Sequence, residues 1–468
     1  MDKVLAPAAT PVGFILAVIV TGHVLLTKRD VSASTGWIGL AWLAPVWGGL
    51  LYFMFGINRV VRRAQRARSV RQPRRRATDH PVDEVPDHLV PLERAVRRIT
   101  NRKTERGNAV TVFHDGDEAY PAMLAAIAQA RNSVALSSYI MRDDAVGSAF
   151  VAALTAARGR GAEVRVLIDG IGSGYFPAIR GRMRAAGIPI ALFMHSALPW
   201  RMPFLNLRNH KKLLVIDGAA GFTGGMNISD ANRVALDPPH PVSDTHFRFE
   251  GPVATQLMDA FAQDWRFTTG EDIEGEAWFP EPDEKAEGEI LARVVTSGPD
   301  QDLEKIRSVL ISACSCAHSA IKIMTPYFLP GDELVSALSL AAMRGVQVDV
   351  IVPARSDHRF VDLAMRAHIG PLLAQGVRFW CGPPPFNHSK LMVVDQQWCL
   401  VGSANWDIRS LRLNFELNVE VYSADLAGTL DRFMLTHQKT RLRSSDLNAR
   451  SLPVRLRDAA LRLLLPYI

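Results

Sequence analysis

Asn206-Leu-Arg-Asn-His-Lys-Lys-Leu-Leu-Val-Ile-Asp-Gly-Ala-Ala-Gly-Phe-Thr-Gly-Gly-Met-Asn227 is the stretch from which the rest of this 468-residue chain can be read. It sets His210, Lys212 and Asp217 in the spacing H-x-K-x-x-x-x-D, with Gly225 eight and Asn227 ten residues beyond the aspartate. The pattern returns at His388, Lys390 and Asp395, followed by Ser403 and Asn405 at the same two offsets. A long-period internal duplication points to related structural units. Here the duplicated thing is a constellation of ionisable side chains.

The spacing has physical content. Lys212–Asp217 and Lys390–Asp395 are apolar between their charged ends and read as buried strands. Side chains alternate along a strand, so His210 and Lys212 share one face, as do His388 and Lys390. Asp217 and Asp395 stand at an odd offset and face away, which suits a structural role behind the site, pairing with backbone or cations. Two such strands brought together offer two imidazoles and two ammonium groups to one point. That set suits a phosphodiester. Lys212 and Lys390 are expected to hold the phosphate oxygens, helped by Asn227, Asn405, Gly225 and Ser403. A neutral imidazole attacks phosphorus while a second, protonated one hands its proton to the departing alkoxide. With only ten lysines among fifty-four basic residues, chance recurrence of the pattern with matching tails is remote.

With Gly-Gly-Met-Asn (224–227) after the first motif and Gly-Ser-Ala-Asn-Trp-Asp-Ile-Arg-Ser (402–410) after the second, the pair resembles the duplicated HKD motifs of the phospholipase D superfamily. The branch it is most similar to is bacterial cardiolipin synthase. Trp42, Pro45, Gly48, Tyr52, Phe55, Gly56, Asn58 and Arg59 look like that branch's second membrane segment, and Thr325-Pro-Tyr-Phe-Leu-Pro330 like another of its signatures. The resemblance runs from about residue 36 to the C-terminus. It implies an α/β fold of two pseudo-symmetric phospholipase D-like domains, each a mixed sheet flanked by helices, preceded by a transmembrane helical hairpin. It also implies a membrane-bound phosphatidyltransferase that makes cardiolipin from two phosphatidylglycerol molecules and releases glycerol through a phosphohistidine, with no metal or organic cofactor.

Composition narrows the alternatives. The net charge is +7, but residues 59 to 76 hold nine arginines and no acid, so the remainder sums to 7 − 9 = −2. A nucleic-acid surface is not indicated, since such binding relies on neutralising phosphates. Cys314, Cys316, Cys381 and Cys399 form no C-x-x-C pair and read as buried, reduced thiols of a cytosolic protein.

Taken in order, Val4 to Thr27 and Val31 to Ile57 carry no formal charge, and both exceed the ~20 residues that cross a bilayer. They read as a two-helix hairpin over residues 1–58. The arginine block that follows, Arg59, Arg62, Arg63, Arg66, Arg68, Arg71, Arg74, Arg75 and Arg76, outweighs the basic residues between the spans. It therefore places the N-terminus and everything after residue 58 on the cytoplasmic side, and the resemblance implies that the membrane is a bacterial inner membrane and that the domains beyond it are the catalytic ones. Residues 59–107 form a basic juxtamembrane segment and polar linker. Beyond them strand and helix patterns alternate: strand 133–139, helix 145–158 and strand 163–169, mirrored by strand 320–325, helix 332–343 and strand 346–352. Gly161 and Gly345 close the equivalent helices. An acidic, Pro- and Gly-containing stretch near 279–289 separates a first domain, 108–280, from a second, 281–468. Leu452 to Ile468 is an apolar helix punctuated by arginines; it suits a membrane surface and packing on the core equally well.

A catalytic histidine needs its second nitrogen held by a carboxylate. Asp244 and Glu416 open strand-like runs 34 and 28 residues past the motif histidines. In the resembled family an acid near this position orients the imidazole. The family also leans towards the first histidine as nucleophile, so His210 is expected to form the phosphohistidine and His388 to act as acid and then base. The near-symmetry of the motifs leaves that order open on the residues alone. So does the choice between an alcohol and water as acceptor, and therefore between transferase and hydrolase. Phosphatidylethanolamine is an alternative acceptor, and the oligomeric state is not legible. Among the other histidines, His246 stands nearest to Asp244.

Overall fold

The structure, a computed structural model, describes residues 11–28, 31–56, 84–175, 177–195, 207–281, 288–298 and 302–462. The arginine block of 59–76 and the last residues of the C-terminal helix lie outside the described residues. The chain divides into two compact units, residues 1–66 with 199–203, and residues 67–198 with 204–468.

The larger unit is organised on one fifteen-stranded sheet. At its centre Glu105–His114 pairs antiparallel with Ile290–Ser297. Outward from Glu105–His114 run Thr245–Glu250, Ala220–Gly224, Leu213–Ile216, Ser133–Ser138, Glu163–Asp169 and Ile190–Phe193. Outward from Ile290–Ser297 run Glu416–Tyr422, Trp398–Gly402, Leu391–Val394, Ala320–Met324, Gln347–Pro353 and Arg378–Gly382, with Thr440–Leu442 added at the edge. The two series correspond strand for strand. In each half the outer three strands run parallel and the remainder pair antiparallel, so the sheet is mixed.

Both motif strands, Leu213–Ile216 and Leu391–Val394, are buried along their whole length. That follows from helices on both faces. One core runs across both halves, from Phe247, Phe249 and Leu257 to Val294, Val419 and Leu430. The opposite face is covered separately, by a first-half cluster around Phe150, Leu154 and Phe222 and a second-half cluster around Leu310, Leu338 and Trp398. The shared core makes the two halves one compact unit. It is reinforced by Arg293, fully buried, which pairs with Glu420 and reaches Glu93 at 3.5 Å; Trp398 Nε1 donates to Glu420 at 3.2 Å.

The repeated helices Ala145–Gly159 and Asp332–Met343 end alike. Gly161 and Gly345 take φ of +100° and +93°. The preceding arginines reach back to cap a neighbouring helix end, Arg160 donating to the Ile127 carbonyl at 2.8 Å and Arg344 to that of Cys314 at 2.9 Å. A Cβ at such a φ is strained even though space is open around Gly345. Gly345→Ala is therefore expected to destabilise the unit by about 1–2 kcal/mol, read as a lowered urea midpoint with unchanged slope.

The smaller unit holds a helix at Pro11–Thr27 and a second run interrupted at Ala44, as Val31–Leu43, Pro45–Leu51 and a π turn at Tyr52–Gly56. Pro45 lacks an N–H and disfavours a helical Ala44, whose φ is −142°. Among the described residues no helix is long and apolar enough to cross a membrane. Several signature residues serve packing here. Trp42 Nε1 donates to Thr21 Oγ1 at 3.1 Å, His23 Nδ1 meets the Tyr52 hydroxyl at 2.7 Å, and a Cβ at Gly48 would lie 2.6 Å from the Leu40 carbonyl. Phe14, Ile15, Ile19, Leu26, Trp47 and Phe53 are exposed.

The helix Leu452–Arg462 packs against Arg359–His368 and buries Asp458, which accepts from Arg450 at 2.5 Å and Arg457 at 2.7 Å; Leu452 and Leu456 stay exposed. All four cysteines are free, Cys314 and Cys399 buried and Cys316 and Cys381 partly so.

Candidate active site

Each motif strand is bolted at one end by its aspartate. Asp217 accepts the backbone N–H groups of Arg131 at 3.0 Å and of Asn132 and Ser133 at 2.7 Å. Asp395 accepts those of His318, Ser319 and Ala320, all at 2.8 Å, together with the Ser319 hydroxyl and His88 Nε2 at 3.0 Å. Burial would push the Asp395 carboxyl up, but these donors outweigh it and hold it below the usual range. Both aspartates hold strand ends by backbone N–H groups.

At the other end each histidine is held by the opposite half. The His210 N–H donates to the Phe415 carbonyl at 2.9 Å and the His388 N–H to that of Ser243 at 2.7 Å. The next residues along those strands are Glu416 and Asp244. Glu416 lies 3.0 Å from His210 Nδ1, and Asp244 lies 2.9 Å from His388 Nδ1. The carboxylate downstream of one motif thus orients the histidine of the other. The two imidazole centroids stand 6.4 Å apart at 79°.

The Ser403 carbonyl also faces His210 Nδ1, at 3.2 Å. With a carbonyl and a carboxylate opposite it, Nδ1 carries the hydrogen and Nε2 the free lone pair. Burial, then Lys212, Lys390 and His388, hold the His210 imidazole well below its usual pKa, so it is neutral. Burial raises Glu416 to about 7, so this carboxyl takes up and loses its proton near physiological pH. The other pair differs. Burial pushes Asp244 up, but Lys390 and His388 outweigh it and keep the carboxylate ionised. The His388 value is lowered by burial and Lys390, against an upward pull from Asp244.

The small residues at plus eight sit against these carboxylates. A Cβ at Gly225 would fall 2.5 Å from one Asp244 oxygen and 2.6 Å from the other. Ser403, fully buried, donates its hydroxyl to Glu416 at 2.5 Å. The Ser403 hydroxyl, expected to help hold a phosphate, is hydrogen-bonded to Glu416 in this structure. Lys212 and Lys390, 2% and 3% exposed, sit beneath the histidines. Lys212 donates to the His210 carbonyl at 2.7 Å; Lys390 contacts the His388 carbonyl and lies 2.8 Å from its Nδ1. Burial lowers Lys212 to about 7 and Lys390 to about 8.

Above them opens a cavity of about 1120 Å³ whose wall includes His210, His388, Asn227 and Asn405. Asn227 Oδ1 accepts the Ile140 N–H at 3.1 Å. Tyr139 and Tyr327 also line the cavity, their rings 4.8 Å from His210 and 6.2 Å from His388. His246 is elsewhere, buried beside Gly224 with burial lowering it to about 4. Among the described residues no group of three or more metal-ligating side chains occurs.

Lys212 and Lys390 lose their charge as pH rises through their own values. With these lysines as the cations that meet substrate, kcat/KM is expected to fall, by up to about tenfold per unit for each group, as pH rises through about 7 to 8. A level profile to about pH 9 would contradict the assignment of these lysines as the cations that meet substrate.

Two strand-for-strand halves, closing on paired imidazoles with crossed carboxylates, define a phospholipase D-like protein. The chain belongs to the cardiolipin synthase family: the family described as cardiolipin synthase, PLD-like domain, matches residues 123–265 and 310–437. It is 31% identical to the major cardiolipin synthase ClsA of Bacillus subtilis over 97% of each chain. It is 30% identical to a cardiolipin synthase of Geobacillus kaustophilus over 95% of this chain and 90% of that one. Among solved structures, phosphatidylserine synthase from Haemophilus influenzae shares the fold, with a TM-score of 0.62 at 13% identity, covering 81% of this chain and all of that one.

Proposed function

We propose that the protein is a phosphatidyltransferase making cardiolipin from two phosphatidylglycerol molecules. The observation that carries this reading is the pair of crossed dyads, His210–Glu416 and His388–Asp244, facing one cavity with their rings 6.4 Å apart. The family membership supports the lipid identity. His210 Nε2, neutral and with its tautomer set, attacks phosphorus. The P–N bond forms as the bond to glycerol breaks, and His388 protonates the leaving oxygen. A hydroxyl of the second phosphatidylglycerol then gives its proton to His388, forms the new P–O bond and releases His210. Lys212, Lys390 and Asn227 neutralise or hydrogen-bond the phosphoryl oxygens throughout.

Residues 1–58 would anchor the enzyme in the bacterial inner membrane with residues 108–280 and 281–468 as its cytoplasmic domains. The outward apolar side chains of the smaller unit support that placement. The arginine block of 59–76 would lie at the anionic surface, worth about 1 kcal/mol per residue close to it. Expression in cells lacking cardiolipin, followed by mass spectrometry of their lipids, tests the function. Cardiolipin is the expected product; phosphatidic acid without cardiolipin would mean hydrolysis instead.

A further inference from the structure

The pseudo-twofold relation fails at the cavity wall, and the failure is chemical. Matching His210 to His388, and Val134 and Val164 to Ile321 and Val348, sets Arg208 against Phe386, Arg409 against Ala231, Ile140 against Tyr327 and Ser173 against Asp357. Beside His210 stands Tyr139, with Arg208 in hydrogen-bond reach of its hydroxyl and Arg409 close by. Neither arginine has an ion-pair partner among the described residues. Beside His388 stand Phe386, at 5.9 Å, and Tyr327, whose hydroxyl donates to Asp357 Oδ1 at 2.5 Å. The first half offers no such pair, because the Ser173 hydroxyl bonds the Met141 N–H at 2.9 Å and the Tyr139 carbonyl at 3.3 Å.

Asp357 lines the cavity, is half exposed, and among the described residues its Oδ2 meets His358 Nε2 alone, at 3.9 Å. A carboxylate there repels a phosphate and accepts hydrogen bonds from a neutral headgroup. We propose that the Tyr327–Asp357 pair is the binding site for the polyol headgroup, which is the leaving glycerol in the first displacement and the glycerol unit of the acceptor lipid in the second. The inference rests on the transferase reading and on His388 as the proton donor, since the group it protonates must lie on its side. Asp357 takes a hydroxyl that is not reacting, so a diol is held where water or a simple alcohol is not. Arg208 and Arg409 draw negative charge to the other side of the cavity.

The test uses the full-length protein in phosphatidylglycerol vesicles with labelled glycerol and 1-propanol as competing acceptors, reading labelled phosphatidylglycerol against phosphatidylpropanol. The wild type is expected to prefer glycerol about tenfold or more per mole, and both Asp357→Asn and Tyr327→Phe to lower that ratio about tenfold. A merely structural role would slow both transfers together. A ratio unchanged in both variants, with transfer intact, overturns the polyol site and leaves the transferase reading standing. Phosphatidic acid as the sole product of the wild type would instead overturn that reading.

Discussion

On a phosphodiester with an activated leaving group, such as a phosphatidyl-p-nitrophenol, His388→Asn is expected to stall as a covalent phosphatidyl-enzyme, whereas His210→Asn forms none. The reason lies in what each ring is asked to do. A nitrophenolate departs without a proton, so the first displacement needs the His210 nucleophile but no acid. Resolution by an alcohol needs a base to take the hydroxyl proton, and that base is gone in His388→Asn. With phosphatidylglycerol itself both variants should lose about 10⁴-fold or more in cardiolipin formation, since an alkoxide leaves only when protonated. Mass analysis under alkaline conditions, which preserve a P–N bond, would locate the adduct on the peptide containing His210. An adduct on His388 in the His210 variant would reverse the assignment. It would also move the polyol site proposed at Tyr327–Asp357 to the wrong side of the phosphorus.

Much of this was legible in the chain because it depends on short-range pattern. Side-chain alternation put His210 with Lys212 and His388 with Lys390, and turned Asp217 and Asp395 away. The aspartates were found on backbone N–H groups behind the site. The run Glu163–Asp169 was read with the bounds the structure shows. What escaped depends on contacts between distant segments. The interruption at Ala44 escaped a count of formal charges over 31–57, although Pro45 was in view and removes a helical N–H. The bond from Ser403 to Glu416 escaped because Gly225 and Ser403 look alike as small residues at one offset. The shorter Asp244 leaves no room for a Cβ at 225, while Glu416 accepts a hydroxyl at 403. The Tyr327–Asp357 bond joins residues thirty apart, with the helix Asp332–Met343 and the strand Gln347–Pro353 between them, where no periodicity operates. Most instructive is the crossing of the carboxylates. Asp244 and Glu416 follow their own motifs at similar distances, which suits pairing within a half as well as between halves. Only the meeting of the two strands decides it.

That crossing separates two sets of variants in a way that pairing within each half would not. Glu416 holds His210, so Glu416→Gln should share the defect of His210→Asn and form almost no phosphatidyl-enzyme, even on the activated substrate. An amide can offer its N–H₂ to Nδ1, moving the hydrogen to Nε2 and removing the attacking lone pair. Loss of the tautomer-fixing carboxylate in this way costs about 10³- to 10⁴-fold. Asp244 holds His388, so Asp244→Asn should share the defect of His388→Asn, forming the adduct on the activated substrate and then stalling. Gly225→Ala belongs with it, because its Cβ would press on both Asp244 oxygens at 2.5 and 2.6 Å. Rapid-quench measurement of the nitrophenol burst reads the grouping directly: a burst in Asp244→Asn and Gly225→Ala, and none in Glu416→Gln. If Glu416→Gln bursts and Asp244→Asn does not, each acid serves its own half, and the 3.0 Å and 2.9 Å contacts across the interface are not the ones that catalyse. The crossing also means that neither half holds a complete dyad. A dyad is assembled only where the shared core brings Phe415–Glu416 to His210 and Ser243–Asp244 to His388, so the paired dyads are a property of the whole sheet and not of either repeat.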